Sequence, residues 1–414
     1  MVHKKIIVTG VFQGSKDNIK WAFTYCEKLL TNLSMKGFKI DVLDLSPIKR
    51  KLNLPENCSH IYLGSSFFQV WSKPAYNKIL DKLNWQHIKL TNIIQLTIGS
   101  LIYISRYIDY ISKNTPSLII HYNGKLTTQR ILHYIGLIRG IPQLLFQAGN
   151  IPGTVEFDSI GNQALSWPVH NFIQFHNLEI TPSELENTKK YLEHIKNKRS
   201  ANIDLESEQI KYIKEKSLSE NKKIIFLAGS GQYGNGLWPR FLPESFSHSP
   251  FYYNDTAVLN DLLKLTKTNN WLIIYKSHPI NPKVKAINHP NLIYIKDLKS
   301  KNEIFNCIDI ADVVLTLVSS VSGLALLYNR PVVLLGRNGL TGMKITYELR
   351  KKENLENIIR TALEHGFNST IAEECVKYAT RIMKYYSYLL NEKESPYLTN
   401  HLEKACNFLI HTCN

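Results

Sequence analysis

WLIIYKSHPINP (residues 271–282) and, further on, DVVLTLVSSVSGLALLYNRPVVLLG (residues 312–336) decide how this chain folds. Leu272 to Tyr275 is an unbroken apolar run that ends in Lys276-Ser277-His278-Pro279. A run of that length, bounded by turn residues, suits a strand buried on both faces. HPNLIYIKDL and the helical segment KNEIFNCIDIA follow. A second apolar strand then empties into Ser319-Ser320, a helix starts near Ser322-Gly323, and Pro331 to Leu335 makes a strand that closes at Gly336. Polar and small residues stand where strands end. In an open parallel sheet ligands bind outside the carboxyl ends of the strands, so this stretch reads as half of a nucleotide site.

Outward from it, the same alternation recurs. Residues 4–12 read as the first strand rather than a secretory signal, because the apolar run is short and ends in a turn. A lysine-rich amphipathic helix, the strand FKIDVLDL and the strand HIYLG come next. Lys73 to Ser112 reads as helix with a dense apolar face. Its polar positions are few and not strongly basic, which favours packing on a sheet over lying on a membrane. SLIIHYNG, the helix Thr127 to Arg139 and the strand PQLLFQAGN complete a first domain, residues 1–177. Residues 178–222 are charged and lack glycine, and read as exposed helices linking two domains. The alternation restarts at KIIFLAG and runs through helices at Asp255 to Thr268, Leu355 to His365 and Thr370 to Leu390. Residues 223–395 make the second domain, and a last helix, residues 396–414, is expected to cross back onto the first.

At 414 residues two cores are expected, and the 44% apolar content is enough to fill them. No run approaches the roughly 20 apolar residues of a membrane helix. The six cysteines show neither a C-x-x-C pair nor metal-like spacing, as in a reduced cytosolic protein. A formal charge of +16 suits nucleic acid, an anionic membrane surface or a phosphate-rich substrate. The lysines are dispersed, with no zinc-finger or RNA-reading pattern, which disfavours nucleic acid.

Four loops at strand ends carry candidate chemistry. In the first, Gly229-Ser230-Gly231 opens a glycine-rich segment whose residues permit positive φ and close backbone approach, as a phosphate or sugar cradle requires; a plain flexible loop has the same composition. In the second, Lys276 and His278 supply positive charge and a hydrogen-bond donor, and Pro279 fixes the exit turn. In the third, the Ser319-Ser320-Val321-Ser322-Gly323 hydroxyls either cap the helix or bind a phosphate with its free N–H groups. The fourth loop, Gln147-Ala148-Gly149-Asn150-Ile151-Pro152-Gly153, is followed by Glu156, Asp158 and Gly161-Asn162. Proton transfer to or from a sugar hydroxyl needs a carboxylate, and Glu156 and Asp158 are the candidates, unless they are solvated turn residues.

Together these segments resemble the capsule polysaccharide biosynthesis glycosyltransferases, the group that contains the bacterial β-Kdo transferases. IIYKSHPINP matches that family's lysine-x-His-Pro segment, and LTLVSSVSGLALLYNRPVVLLGRNGLTG its serine-glycine and Pro-Val block. FQAGNIPGTVEFDSIGNQALSWP is similar to its acidic loop, and HYNGK to the Asn-Gly strand end, Asn123-Gly124, that precedes it. The resemblance spans residues 117–347. It implies a GT-B fold, in which two Rossmann-like domains with parallel sheets face a central cleft and no metal is required. It places the nucleotide-sugar mainly on the second domain. Lys276 and His278 would contact the CMP moiety, and Ser319, Ser320 and Gly323 would hold phosphate or the sugar carboxylate. Asn123, Gly124, Gly149, Asn150 and Asn162 would lie on the acceptor side. In one respect the chain departs from the family: Gln147-Ala148-Gly149 stands where an acidic residue usually precedes the glycine, and glutamine has no titratable carboxylate.

The expectation is therefore a cytoplasmic glycosyltransferase of a capsular or related surface polysaccharide, peripheral at the inner face of the membrane. It would move Kdo or a related ulosonic acid from a CMP-activated donor to a lipid- or glycan-linked acceptor, with no cofactor, and would meet the capsule export machinery. Its rivals are a UDP-sugar transferase of the same fold, a non-catalytic capsule assembly component and a basic nucleic-acid-binding protein.

Overall fold

The apolar runs form strands because, in a sheet covered on both faces, every position of a strand is lined by side chains rather than water. The computed structural model describes residues 4–10, 16–44, 54–63, 90–122, 124, 127–200, 207–231, 237, 243–278, 287–295, 302–390, 397 and 400–413. In chain order the elements begin with β1 (Lys5–Thr9), α1 (Lys16–Met35), β2 (Lys39–Asp44), β3 (Cys58–Tyr62), α2 (Leu90–Asn114), β4 (Leu118–Tyr122) and α3 (Thr127–Ile138). Then come β5 (Gln143–Ala148), β6 (Thr154–Asp158), α4 (Pro182–Ser200), α5 (Glu208–Ser219), β7 (Lys223–Ala228), α6 (Asp255–Leu265), β8 (Trp271–Lys276) and β9 (Leu292–Tyr294). The remainder is α7 (Asn302–Ile310), β10 (Val313–Thr316), α8 (Val321–Leu327), β11 (Val332–Leu334), β12 (Tyr347–Glu348), α9 (Leu355–His365), α10 (Ser369–Tyr385), β13 (Ser387–Leu389) and α11 (His401–Thr412).

Two compact α/β units result, each Rossmann-like: Met1–Gly149, Gly153–Ile160 and Tyr386–Asn414 form the first, Asn150–Pro152 and Gly161–Tyr385 the second. The first holds a sheet in the order β13-β6-β5-β4-β1-β2-β3, parallel from β5 to β3, with β6 and β13 added antiparallel. Alternate residues of β1 serve opposite cores. Ile6 and Val8 pack with Leu29 and Leu30 of α1 and Leu409 of α11, whereas Ile7 packs with Tyr107 of α2 and Leu132 of α3. Helices on both faces are the mark of a doubly wound sheet.

In the second unit the sheet runs β12-β11-β10-β7-β8-β9, parallel throughout. All six residues of β8 are buried. Ile273 and Tyr275, with Ile225 and Leu315, meet Val258 and Leu262 of α6 and Ile359 of α9.

Several boundaries differ from the sequence reading. Residues 154–158 form a strand, although Glu156 and Asp158 suggested a turn; both carboxylates have partners that allow burial. The helix expected to reach Leu390 ends at Tyr385, and Ser387–Leu389 pairs with β6 instead. Residues 178–200 and 207–222 group with the second unit rather than standing as a linker. A few anchors suffice for that: Tyr191 and Ile195 on α4, and Ile210 and Ile213 on α5, are buried within largely charged helices. The last helix groups with the first unit, with Ala405, Cys406 and Leu409 in its core. Of the long helix read from Lys73, residues 73–89 lie outside the described residues. No described helix is long and apolar enough to cross a membrane.

Candidate functional site

In the second unit three strands end side by side. Ala228 of β7 is in register with Lys276 of β8 and with Thr316 of β10, so the three following loops leave the sheet at one level. The chain winds outward from β7 to β8 and β9 on one side, and from β10 to β11 and β12 on the other. The strand order therefore reverses between β7 and β10, which is where an open parallel sheet offers a crevice.

The loop after β7 is fixed to its neighbours on both sides. The Gly229 N–H donates to the Lys276 carbonyl at 2.8 Å, and a Cβ on Gly229 would lie 2.7 Å from the His278 nitrogen. A Cβ on Gly231 would lie 3.2 Å from Cε1 of the His278 ring. Glycine is needed here for close approach; neither residue has a positive φ. Ser230 is fully buried, and its Oγ accepts the Val318 N–H at 3.2 Å, bridging the reversal point. The Ser230 N–H faces both oxygens of Asp255 at 3.4 and 3.3 Å, and the Tyr275 hydroxyl donates to the same carboxylate at 3.0 Å.

Asp255 escaped the sequence reading. Its local signal is the Asn254-Asp255 pair opening α6, where Asn254 caps the Ala257 N–H at 2.8 Å; that pattern reads as capping alone. Burial raises the Asp255 carboxyl to about 7, against the opposing pull of the Tyr275 and Ser230 hydrogen bonds.

Lys276 is buried, while burial holds the His278 imidazole below its usual pKa. At neutral pH His278 is thus a neutral hydrogen-bonding ring beside the buried Lys276. Pro279 lies outside the described residues. After β10, Ser319 does the capping: its Oγ accepts the Val321 N–H at 3.3 Å. Ser320 is exposed at the N-cap position of α8 and its side chain makes no capping bond. A Cβ on Gly323 would meet the Asn150 carbonyl oxygen at 2.8 Å, and one on Gly339 the Asn150 Nδ2 at 2.3 Å. Asn150, expected on the acceptor side, thus packs at the head of α8.

The remaining candidates of the fourth loop divide. Gln147 and Glu156 are directly opposed on β5 and β6, and Gln147 Nε2 donates to Glu156 Oε2 at 3.0 Å. Both are buried. Asp158 Oδ1 accepts the Ile160 N–H at 2.6 Å, and Oδ2 accepts the Tyr386 hydroxyl. Gly149 is required by crowding, since a Cβ there would lie 2.1 Å from Thr154 Oγ1 and 2.8 Å from Ser387 Oγ. Gly124 has φ +62° and its Cβ would overlap Leu145. Asn123 lies outside the described residues. Asn162 is buried at the head of a 3₁₀ turn, Gln163–Leu165, in the second unit. Among the described residues no group of three or more His, Cys, Asp or Glu is placed to hold a metal ion.

No family model matches the sequence, and no curated protein does. Solved structures are similar in outline. The Thermosulfurimonas dismutans KpsC β-Kdo 2,7 transferase is 17% identical with a TM-score of 0.44, over 75% of this chain and 90% of that one. The KpsC β-Kdo 2,4 transferase of the same organism is 15% identical with a TM-score of 0.47, over 72% and 88%. A Methanocaldococcus jannaschii UDP-GlcNAc 2-epimerase, solved with UDP-GlcNAc and UDP, is 10% identical with a TM-score of 0.39, over 90% and 98%. Similarity at these scores carries no functional weight; the residues of this chain do.

Proposed function

We propose that this protein is a GT-B glycosyltransferase that binds a nucleotide-sugar at the strand ends of its second unit. The observation that carries the reading is the joining of Gly229–Gly231, Lys276–His278 and Val318–Ser320 at the point where strand order reverses. Glycine-permitted backbone, a buried lysine and the exposed Ser320 hydroxyl suit a leaving nucleotide phosphate. Preorganised charge of this kind acts most strongly on the developing charge of the transition state. Lys276 neutralises that phosphate, the Ser320 hydroxyl donates to it, and His278 contributes a neutral donor. No step is assigned to a metal.

The donor we favour is a CMP-activated ulosonic acid such as Kdo, and the acceptor a lipid- or glycan-linked sugar of a capsular or related surface polysaccharide. The support is the ordered set of sequence motifs that resembles the capsule family. The carboxylate chemistry falls to the first unit. Of the two candidates, Glu156 accepts a hydrogen bond from Gln147, which orients it. Asp158 is held by Tyr386 and the Ile160 N–H, which suits a structural role.

For contact with the inner face of the membrane, the support is the end of α3. Tyr134, Leu137 and Ile138 are exposed there beside exposed Arg139. Apolar side chains next to a cation suit an anionic lipid surface.

A donor panel decides among the readings. Release of CMP from a CMP-ulosonic acid with a lipid-linked acceptor is the expected result. Release of UDP from a UDP-sugar instead would replace the donor, and turnover of neither would leave a binding component.

A further inference from the structure

Glu303 stands in the first turn of α7 and is buried, at 9% exposure. Among the described residues its Oε2, shut away from water, has no hydrogen-bond partner. A carboxylate oxygen can only accept, and burying one without a donor is costly. The position therefore calls for a ligand that brings an N–H or O–H to it.

Topology puts this oxygen at the sheet edge already assigned to the nucleotide. Strands β7 to β10 are parallel, so α7 starts beyond the carboxyl end of β9 and leads back to the start of β10. Along β8, Ile273 and Tyr275 face the core under α6 and α9. Leu272, Ile274 and Lys276 alternate with them and face the opposite side of the sheet. Helix α7 packs against α5 and β7, and none of its described residues joins the core under α6 and α9. Cys307 ties the two side chains together. One helical turn beyond Glu303, it is fully buried, and burial pushes its thiol up to about 12, with Glu303 adding to the rise and Lys276 opposing it. Glu303 and Lys276 thus act on the same buried sulfur.

We propose that Glu303 reads the base of the donor nucleotide by accepting a hydrogen bond from the exocyclic amine of cytosine. This rests on the nucleotide-sugar reading, in which Lys276 takes the phosphate. Among the polar hydrogens of a cytidine nucleotide, the base amine suits a buried acceptor best. The base has apolar faces and leaves water as it binds, whereas ribose hydroxyls are well served at a wet rim. A carboxylate accepting from the cytosine amine is also a standard pairing in base recognition. Uracil carries a carbonyl oxygen at that position, and two acceptors brought together out of water repel. Phosphate contacts are blind to the base; Glu303 supplies the discrimination between CMP and UMP.

The experiment is calorimetric titration of the full chain with CMP, UMP and 2′-deoxy-CMP. The wild type is expected to bind CMP about 10–100-fold more tightly than UMP, the worth of one hydrogen bond to a carboxylate, and to bind 2′-deoxy-CMP much as it binds CMP. In Glu303→Gln the preference for CMP disappears, because the amide can donate to the uracil oxygen as readily as it accepts from the cytosine amine. Glu303→Ala removes the acceptor outright, levels the two nucleotides as well, and serves if the glutamine variant does not fold. A wild type that binds CMP no better than UMP, or a folded variant that keeps the full preference, overturns the base contact and leaves the nucleotide reading standing. A preference for CMP over 2′-deoxy-CMP that vanishes in the variants would move the carboxylate to the ribose, and overturns it equally. A wild-type chain that binds neither CMP nor UMP overturns both.

Discussion

Gly229→Ala is the most direct test of whether the strand ends of the second unit are a donor cradle. The new Cβ would lie 2.7 Å from the His278 nitrogen, 2.8 Å from the Lys276 carbonyl oxygen and 3.0 Å from the Ser277 Cα. All three are main-chain atoms, so no side chain can swing aside. Relief means moving the β8 strand end by several tenths of an ångström and stretching the 2.8 Å bond from the Gly229 N–H to Lys276. Overpacking of this kind costs about 1–3 kcal/mol. In a unit of this size that corresponds to a fall in Tm of roughly 2–12 °C. Nucleotide affinity should fall as well, because the displaced atoms carry Lys276 and His278. We expect CMP affinity to drop at least about tenfold, some 1.4 kcal/mol. Gly140→Ala is the matched control. Its φ of +65° makes alanine costly, but nothing lies within 4 Å of the new Cβ and the residue is in the first unit. Thermal melts and calorimetry read both variants. If Gly229→Ala lost stability but bound CMP as the wild type does, the loop would not be the cradle. If it lost neither, the close approach itself would be wrong.

Lys276→Gln should raise the Kd for CMP by about 10–100-fold, the loss of one charge-assisted contact of roughly 1.5–3 kcal/mol, and EDTA should leave transfer unchanged; transfer that stops with EDTA and resumes with added divalent cation would move the phosphate charge onto a metal. Glu156→Gln should lower turnover by about 100-fold or more with donor affinity retained, whereas Asp158→Asn should act mainly on stability, with a Tm shift from the weakened Tyr386 and Ile160 bonds; the opposite pattern in steady-state kinetics would exchange the two roles. Replacing Leu137 and Ile138, 56% and 84% exposed, by serine should reduce co-sedimentation with phosphatidylglycerol vesicles and leave transfer to a soluble acceptor intact; equal sedimentation of both proteins removes α3 as the contact.

The architecture was legible because it rests on apolar periodicity. Ile224–Leu227, Trp271–Tyr275 and Val313–Leu315 are buried runs between turn residues, and each became a strand. The motifs at their ends were legible for the same reason, since strand ends are where polar residues interrupt such runs. What failed were residues whose environment is supplied from far along the chain. Glu156 and Asp158 read equally as catalytic or as solvated turn carboxylates, and the sequence showed neither donor that holds them buried: Gln147, and Tyr386, 228 residues from Asp158. Asn150 sits three residues from Gln147 in sequence yet packs against Gly323 and Gly339. Asp255 resembled a helix-opening residue because its role depends on Ser230 and Tyr275, neither of which is local to it. Spacing carries local geometry; it does not carry the partner of a buried charge.

That buried charge has a thermodynamic consequence that can be read without any ligand. The Asp255 carboxyl lies near its ordinary value of 3.8 when unfolded and at about 7 when folded. Between those values the folded chain binds the extra proton, so stability falls as pH rises. The stabilisation is fully present below the unfolded value and is lost through pH 7. Its ceiling is about 4 kcal/mol, from a rise of about 3 in pKa at about 1.36 kcal/mol for each whole step. From pH 6 to pH 8 the integrated change is about 1.4 kcal/mol, or roughly 3–6 °C in the Tm of the second unit. Asparagine would avoid that loss and could still bond Ser230 and Tyr275. A fold that keeps a carboxylate there is less stable above neutrality than it need be. In Asp255→Asn the pH dependence between 6 and 8 should therefore flatten, and at pH 8 the variant should melt above the wild type. A variant that melts lower at pH 8, with the wild-type slope intact, would mean that the ionised carboxylate stabilises this fold and that burial does not hold its proton.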